Sequence, residues 1–314
     1  MLGPLESFRE GFGAALADAG EAFSDLVVVD ADVSNSTRTI DFARRFPERF
    51  IQVGISEQDA VSTAAGLAAA GKIPVFASFA MFLLRAWEQV RNTVARDRLN
   101  VKLVGTHSGF SDHLDGSSHQ CLEDLALMRV LPNFTVVAPA DVTSTRELLF
   151  QAIDLRGPVY MRIGRDNAPR VYGRGAGLAL GRAEVLRDGS DVTIAACGVA
   201  VWLALAAAEE LSRRGVEARV LDVHTLKPMD EGAVLKAASE TSGIVTVEEH
   251  SVLGGLGGAI AEVLAERMPT RVIRIGVRDA FGRTSRDYRR LLEIYGLTPE
   301  SVVRAAEAVA HAPD

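Results

Sequence analysis

Cysteine is scarce in this chain of 314 residues, and long hydrophobic runs are absent. The two cysteines, Cys121 and Cys197, lie far apart and match no metal-binding or redox spacing, which predicts two buried thiols. No apolar run reaches the roughly 18 residues that a membrane helix needs. The first ten residues carry charge where a signal peptide would be apolar. We therefore expect a cytoplasmic protein that does not associate with membranes.

An excess of positive charge is also missing. The formal net charge is −7, so the chain lacks the basic surface expected of a general nucleic-acid binder. With 48% hydrophobic and 24% charged residues, the composition is that of a soluble globular protein. The length is sufficient for two domains, each with its own core.

Short β-branched segments alternate with longer helical patterns, which is typical of parallel sheets covered by helices. The sequence thus predicts an α/β protein with two consecutive open parallel-sheet domains and helices on both faces. The first domain is predicted to span 1–165 and the second 181–314, with a glycine-rich linker at 166–180. The predicted strands are 26–30, 50–53, 73–77, 101–105, 135–137, 159–163, 192–196, 218–221, 244–248 and 272–275. The predicted helices are 8–19, 56–70, 79–95, 122–130, 142–154 (with Asp141 as N-cap), 199–214, 230–239, 256–266 and 299–309.

The stretch from 51 to 120 holds most of the side chains that could carry chemistry. Glu57 lies at a predicted strand-to-helix junction, and Phe79 and Phe82 share one face of the predicted helix 79–95. Taken alone, Glu57 is better explained as a first-turn glutamate favoured by the helix dipole. The two phenylalanines alone are better explained as ordinary core.

The loop at 106–119 is long and has no periodicity, and such a loop inside a compact domain is usually functional. It contains half of the six histidines. One interpretation is a metal site made of His107, His113 and His119 with Asp112 and Asp115. Even six-residue gaps are not a standard zinc spacing, however.

Several motifs resemble the transketolase family, and they occur in the family's order. The segments GISEQDAVSTAAGLAAAGKIPVFASFAMF, VLPNFTVVAPAD and GPVYMRIGRDN resemble the pyrimidine-binding domain. The segments VLDVHTLKPMD, VEEHSVLGGLGGAIAEVL and FGRTSRDYRRLLEIYGLT resemble the carboxy-terminal domain. The resemblance implies a thiamine diphosphate-dependent transferase that moves a two-carbon ketol unit from a ketose to an aldehyde.

The resemblance also implies roles for residues around the cofactor. Glu57 matches the glutamate that hydrogen-bonds the pyrimidine ring, where a shared proton favours the imino tautomer that activates the thiazolium carbon. Desolvation would raise the pKa of that carboxyl. Phe79 and Phe82 match aromatic residues that stack on the pyrimidine, and Asp32 matches an acid near the cofactor.

Other residues match the substrate channel. His107, Asp115 and His119 match catalytic positions, where a histidine with a near-neutral pKa can relay protons and an aspartate can accept from a sugar hydroxyl. Phosphate-binding positions are matched by Arg9, Ser36 and Arg165, because a guanidinium suits phosphate. Arg85 stands where many transketolases have an aromatic residue, and it is expected either to face solvent or to reach a substrate phosphate.

The loop at 111–120 departs from the family. Transketolases usually have a sequence close to G-x-G-E-D-G-x-x-H-Q here, whereas this chain has SDHLDGSSHQ. Ser111, His113 and Leu114 replace two glycines and an acid. We therefore expect His113 to contact the substrate and the acceptor to differ from the common pentose phosphates.

No GDG motif of the kind that binds diphosphate in this family occurs in the chain. We therefore expect a separate diphosphate-binding subunit that holds Mg²⁺ or a similar cation, in a heterotetramer with two copies of each chain. No metal ligands are predicted in this chain. Three alternatives remain open: a 2-oxoacid dehydrogenase beta subunit, a 1-deoxyxylulose-phosphate synthase-like subunit, and a non-catalytic scaffold.

Overall fold

The computed structural model describes residues 2–311 and confirms the α/β architecture. The strands in chain order are β1 (Leu5–Ser7), β2 (Leu26–Asp30), β3 (Phe50–Gln52), β4 (Ile73–Phe79), β5 (Lys102–Thr106), β6 (Thr135–Val137), β7 (Val159–Arg162), β8 (Asn167–Pro169), β9 (Glu184–Arg187), β10 (Val192–Ala196), β11 (Ala218–Asp222), β12 (Thr225–Lys227), β13 (Ile244–Ser251) and β14 (Val272–Val277). The helices are α1 (Phe8–Ala22), α2 (Ser34–Thr37), α3 (Ile40–Arg45), α4 (Glu57–Ala69), α5 (Ala80–Leu83), α6 (Trp87–Gln89), α7 (Asp124–Arg129), α8 (Val142–Asp154), α9 (Val201–Arg213), α10 (Glu231–Glu240), α11 (Leu256–Arg267), α12 (Tyr288–Ile294) and α13 (Pro299–Ala310). In this part of the chain no helix is long and apolar enough to cross a bilayer.

Two larger sheets carry the fold, and each is parallel except for one edge strand. The first has the order β12-β6-β7-β5-β4-β2-β3, with β12 antiparallel to β6. The second has the order β14-β13-β10-β11-β9, with β9 antiparallel to β11. Helices cover both faces of both sheets, as predicted.

The first sheet has a topological switch point beside β2. The chain passes from β2 to β3 on one side and then returns to β4 on the other side of β2. The loops that follow β2 and β4 therefore diverge, which opens a crevice at the carboxyl ends of these strands. Ligands of open α/β sheets bind in crevices of this kind.

Apolar packing crosses between the two halves of the chain. One apolar cluster joins Phe12 and Leu149 of the first half to Leu203 and Val303 of the second. A further cluster, which includes α4 and α11, also draws on both halves. The chain also returns to the first sheet through β12, and β8, within the predicted linker, pairs with β1. Residues on the two sides of the predicted domain boundaries thus pack against each other.

The predicted continuous helix 79–95 is wrong. Phe79 is the last residue of β4, and the segment continues as α5, a 3₁₀ turn at Leu84–Ala86, α6 and a π-helix at Val90–Ala95. Near the π-helix, the Thr93 hydroxyl donates to the Gln89 carbonyl, and such side-chain bonds compete with the regular helical pattern. By contrast, Asp141 is the N-cap of α8 as predicted, because its carboxylate accepts from the Ser144 amide at 2.8 Å.

Candidate active site

The loop after β2 lies in the crevice and is anchored by the buried Asp30. One carboxylate oxygen accepts from the Val33 amide at 3.0 Å and from the Gln52 side chain at 2.9 Å. Its other oxygen accepts from the Thr39 hydroxyl at 3.0 Å. This anchoring presents the exposed Asp32, whose φ of 65° is in the left-handed region, at the mouth of the crevice.

Glu57 is the first residue of α4 and is only 6% exposed. Within residues 2–311 its one ionic contact is with Arg85, whose Nε lies 3.9 Å from Oε2. The Arg85 side chain is itself 73% exposed, so the pair is long and open to solvent on one side. A nearly buried carboxylate with so weak a partner is a suitable acceptor for a polar ring in the crevice.

Three aromatic rings form a continuous stack at the end of β4. The Phe79 and Phe82 centroids lie 4.8 Å apart with planes 4° from parallel, and the His107 ring covers the other face of Phe79 at 3.7 Å. No third ring fits between two centroids that are 4.8 Å apart. The outer face of Phe82 is therefore the surface on which a flat heterocycle would stack. With Glu57, these residues fit the pyrimidine end of thiamine diphosphate.

His107 is 2% exposed and adopts a positive φ of 53°. Its Nδ1 lies 2.8 Å from the Thr106 hydroxyl, which lies 3.1 Å from the Ser78 carbonyl. Since that carbonyl can only accept, Thr106 donates to it and accepts from Nδ1–H, so Nε2 keeps a free lone pair. Burial, and then the charges of Arg165 and Arg9, lower the pKa of His107 to about 3. The expected near-neutral pKa is therefore wrong for His107, which is uncharged at pH 7.

His119 lies along the edge of the stack, with its ring centroid 5.3 Å from that of Phe82 and 6.4 Å from that of Phe79 and its plane tilted by about 70° to both. Asp115 is exposed close to it in the same loop. The loop thus brings His119 to the aromatic stack, whereas Asp115 lies next to the Asp112 carboxyl.

The predicted anion-binding residues also come together. Arg9 Nη1 lies 3.5 Å from the Ser36 carbonyl oxygen, and Arg9 and Arg165 line one cavity of about 630 Å³. Sequence reasoning missed the partner of Arg165, which is Asp112: Nη1 donates to its Oδ1 at 2.6 Å. Burial raises the pKa of Asp112 to about 6, and the neighbouring Asp115 carboxyl adds to the rise.

The alternative metal site is wrong. Over residues 2–311 no three His, Cys, Asp or Glu side chains are arranged to hold an ion. His107 stacks on Phe79, and the Nδ1 of His113 lies 2.9 Å from Asp166 Oδ2. Because these histidine rings contact different neighbours, they do not converge on a common metal ion.

Glu249 is a further functional residue that the sequence did not indicate. This fully buried acid from β13 accepts from the Phe110 amide at 2.8 Å and from the Tyr288 hydroxyl at 2.9 Å. Burial raises its pKa to about 7. Glu249 and Phe110 are 139 positions apart, so no local pattern could have revealed this contact between the second sheet and the 106–119 loop.

Comparison with known proteins gives these features a family context. A family model described as the transketolase pyrimidine-binding domain matches residues 6–170, and one described as the transketolase C-terminal domain matches residues 181–302. A putative transketolase C-terminal section from Methanocaldococcus jannaschii is 43% identical, and the match covers 97% of this chain and 96% of that protein. A 6-deoxy-6-sulfo-D-fructose transketolase subunit from Clostridium sp. (strain MSTE9) is also 43% identical, over 96% of this chain and 94% of that protein. A solved split-gene transketolase, described as an inactive beta4 tetramer, is similar with a TM-score of 0.90 and 46% identity, covering 97% of this chain and 98% of that one.

Proposed function

The chain belongs to the transketolase family, and from that premise we propose that it is the pyrimidine-binding and carboxy-terminal subunit of a two-component transketolase. The reaction transfers a two-carbon ketol unit from a ketose to an aldehyde. The observation that carries the proposal is the weakly partnered, nearly buried carboxylate of Glu57, which with the Phe79–Phe82 stack lies at the carboxyl ends of the parallel strands on either side of β2.

Thiamine diphosphate supplies the carbon nucleophile of such a reaction when it is bound. Glu57 hydrogen-bonds the pyrimidine ring and shares a proton with it, and Phe82 supports the ring by stacking. Phe79 holds Phe82 in place from behind, while Asp32 lies at the edge of the cofactor crevice.

The substrate is bound and oriented along the 106–119 loop. The neutral imidazole of His107 accepts a hydrogen bond from a substrate hydroxyl through Nε2. His119 and Asp115 exchange protons and hydrogen bonds with the reacting oxygen atoms. Arg9, Ser36 and Arg165 bind the distal end of the substrate, with His113 beside them. Arg85, which is largely exposed, faces solvent next to Glu57.

A separate subunit completes the site. It binds the diphosphate and a hard cation such as Mg²⁺, and the assembly contains two copies of each chain. The similarity to chains described as a transketolase section or subunit supports this arrangement. A relative described as an inactive tetramer of beta chains also supports it. The proposed location is the cytoplasm.

Reconstitution tests the proposal. The chain is produced with a diphosphate-binding transketolase subunit from the same genome, and ketol transfer from several ketoses to several aldehydes is measured with thiamine diphosphate and Mg²⁺. We expect transfer from a ketose. Turnover with pyruvate in place of a ketose would instead favour a deoxyxylulose-phosphate synthase-like or 2-oxoacid dehydrogenase subunit. A complex that assembles but turns over neither donor would indicate a scaffold.

A further inference from the structure

The charges around Arg165 limit the kind of substrate that the site accepts. Resting on the proposed function, we infer that the distal end of the substrate carries at most one negative charge, and that Asp112 makes the site selective against a phosphate dianion. The distal end is the end remote from the reacting carbonyl, next to Arg9 and Arg165.

The first observation is the ion pair itself. Asp112 is 0% exposed, and its Oδ1 lies 2.6 Å from Arg165 Nη1. A buried carboxylate cannot be screened by water, so it cancels much of the positive charge that Arg165 presents to a ligand. Ser111 strengthens this arrangement, because its hydroxyl accepts from the Arg165 amide at 3.0 Å and keeps the two loops together.

Within the cavity that Arg9 and Arg165 share, the other charged side chains are acids and add no positive charge. The cavity that Arg9 and Arg165 share is also lined by Glu6, Glu10 and Asp166. Because Glu6 lies 3.7 Å from Arg170, that arginine neutralises part of the negative charge that Glu6 contributes to the cavity. Arg9 and Arg165 face the acids of the cavity wall, and Asp112 lies behind that wall. A phosphate dianion therefore gains little net electrostatic attraction in this cavity.

The polar groups at this end suit hydroxyls. A neighbouring cavity of about 430 Å³ shares Asp166 and Asn167 with the first and adds His113 together with Asp287 and two arginines, Arg286 and Arg289. His113 Nδ1–H donates to Asp166 at 2.9 Å, so the pair leaves the Nε2 lone pair and the other carboxylate oxygen as acceptors for the hydroxyls of a polyol. A hydroxylated or singly charged end can therefore be bound without displacing either ion pair.

The test compares two acceptors of equal length in the reconstituted complex. D-glyceraldehyde 3-phosphate and D-glyceraldehyde are assayed with the same ketose donor, using wild type and Asp112→Asn. Asn keeps the volume and an oxygen acceptor for Arg165 but removes the charge. Asp97→Asn serves as the control, because Asp97 is an exposed acid that pairs with a neighbouring arginine, Arg96, outside the site.

For wild type we expect the two kcat/KM values to lie within about tenfold of each other. Asp112→Asn should raise the preference for the phosphorylated acceptor by about tenfold, and inorganic phosphate should become a stronger competitive inhibitor by a similar factor. Asp97→Asn should leave both unchanged. The inference would be overturned if wild type preferred the phosphorylated acceptor by more than a hundredfold and Asp112→Asn reduced that preference. Asp112 would then position Arg165 for phosphate. Failure of every aldehyde as acceptor would overturn the proposed function itself.

Discussion

Glu57 is the residue on which the proposed function depends most directly. Gln at this position keeps the volume and can still meet a ring nitrogen, but it cannot share a proton with it. We expect Glu57→Gln to lower turnover in the reconstituted complex by about 10² to 10⁴, with a smaller effect on substrate KM. Deuterium exchange at the thiazolium carbon, followed by NMR after acid quench, isolates the step.

The control for this change is Glu48→Gln, which alters an exposed glutamate that is 69% accessible at its side chain. With Glu48→Gln, the deuterium exchange at the thiazolium carbon and the turnover of the reconstituted complex should match those of wild type. If Glu57→Gln exchanges as fast as wild type, Glu57 is not the activating acid.

His107 makes a second prediction at the scale of the residue, and it concerns stability. Its pKa of about 3 in the folded chain lies below the ordinary 6.5, so the unfolded state binds the proton first as the pH falls. Its contribution to stability is therefore present above pH 6.5 and decreases as the pH falls toward 3. Between pH 7 and pH 5 the loss is about 2 kcal/mol.

His107→Gln removes this titration while keeping a polar side chain. The free energy of unfolding is measured with urea at pH 7 and at pH 5. Between these pH values it should fall by about 2 kcal/mol less for His107→Gln than for wild type. His311→Gln, at the exposed end of α13, should retain the wild-type difference. Equal pH dependence in His107→Gln and wild type would show that His107 titrates normally in the folded chain.

At the scale of the element, the 106–119 loop is held from the second sheet by Glu249. Glu249→Ala leaves the Phe110 amide and the Tyr288 hydroxyl without a partner and opens a cavity. We expect a loss of about 2–4 kcal/mol in unfolding free energy and a raised substrate KM. Glu249→Gln keeps an oxygen that can accept both bonds, so it should recover most of the stability and the KM. Equal defects in the two variants would mean that the charge, and not the hydrogen bonds, positions the loop.

The same scale shows what could be predicted from the sequence. The buried strands β2, β6 and β10 match their predicted bounds because continuous apolar segments flanked by polar loops identify them. The short strands β1, β8, β9 and β12 lack a continuous apolar segment and were missed. β12 owes its place to pairing with β6, a long-range contact that local patterns do not encode.

The site shows the same division. Glu57, Phe79 and Phe82 could be identified from a motif, but the direct stacking of the two rings could not, because it follows from the end of β4 at Phe79. Asp112 was noticed only as a possible metal ligand, since its partner Arg165 lies 53 positions away. Contacts between loops that meet at the edge of a sheet depend on the topology, which spacing in the sequence does not reveal.

At the scale of the whole molecule, the proposed function makes this chain the source of half of an active site. The carboxylate and the aromatic stack lie at the carboxyl ends of the first sheet, whereas the described cavities are lined by other residues. The outer face of Phe82 and the exposed Arg85 are thus available to be covered by another chain. A cofactor held at its pyrimidine end alone would lose the contacts to its diphosphate, which carry most of its charge.

We therefore expect the isolated chain to bind thiamine diphosphate weakly and to show no ketol transfer, even with Mg²⁺. Addition of the diphosphate-binding subunit should produce both, because the diphosphate then gains main-chain donors and a cation that this chain does not supply. Calorimetric titration of the cofactor into each chain and into the mixture measures binding, and light scattering measures whether the active species has the mass of two copies of each chain. Turnover by the purified single chain would contradict the two-component assignment, whereas an active complex of another mass would contradict only the heterotetramer.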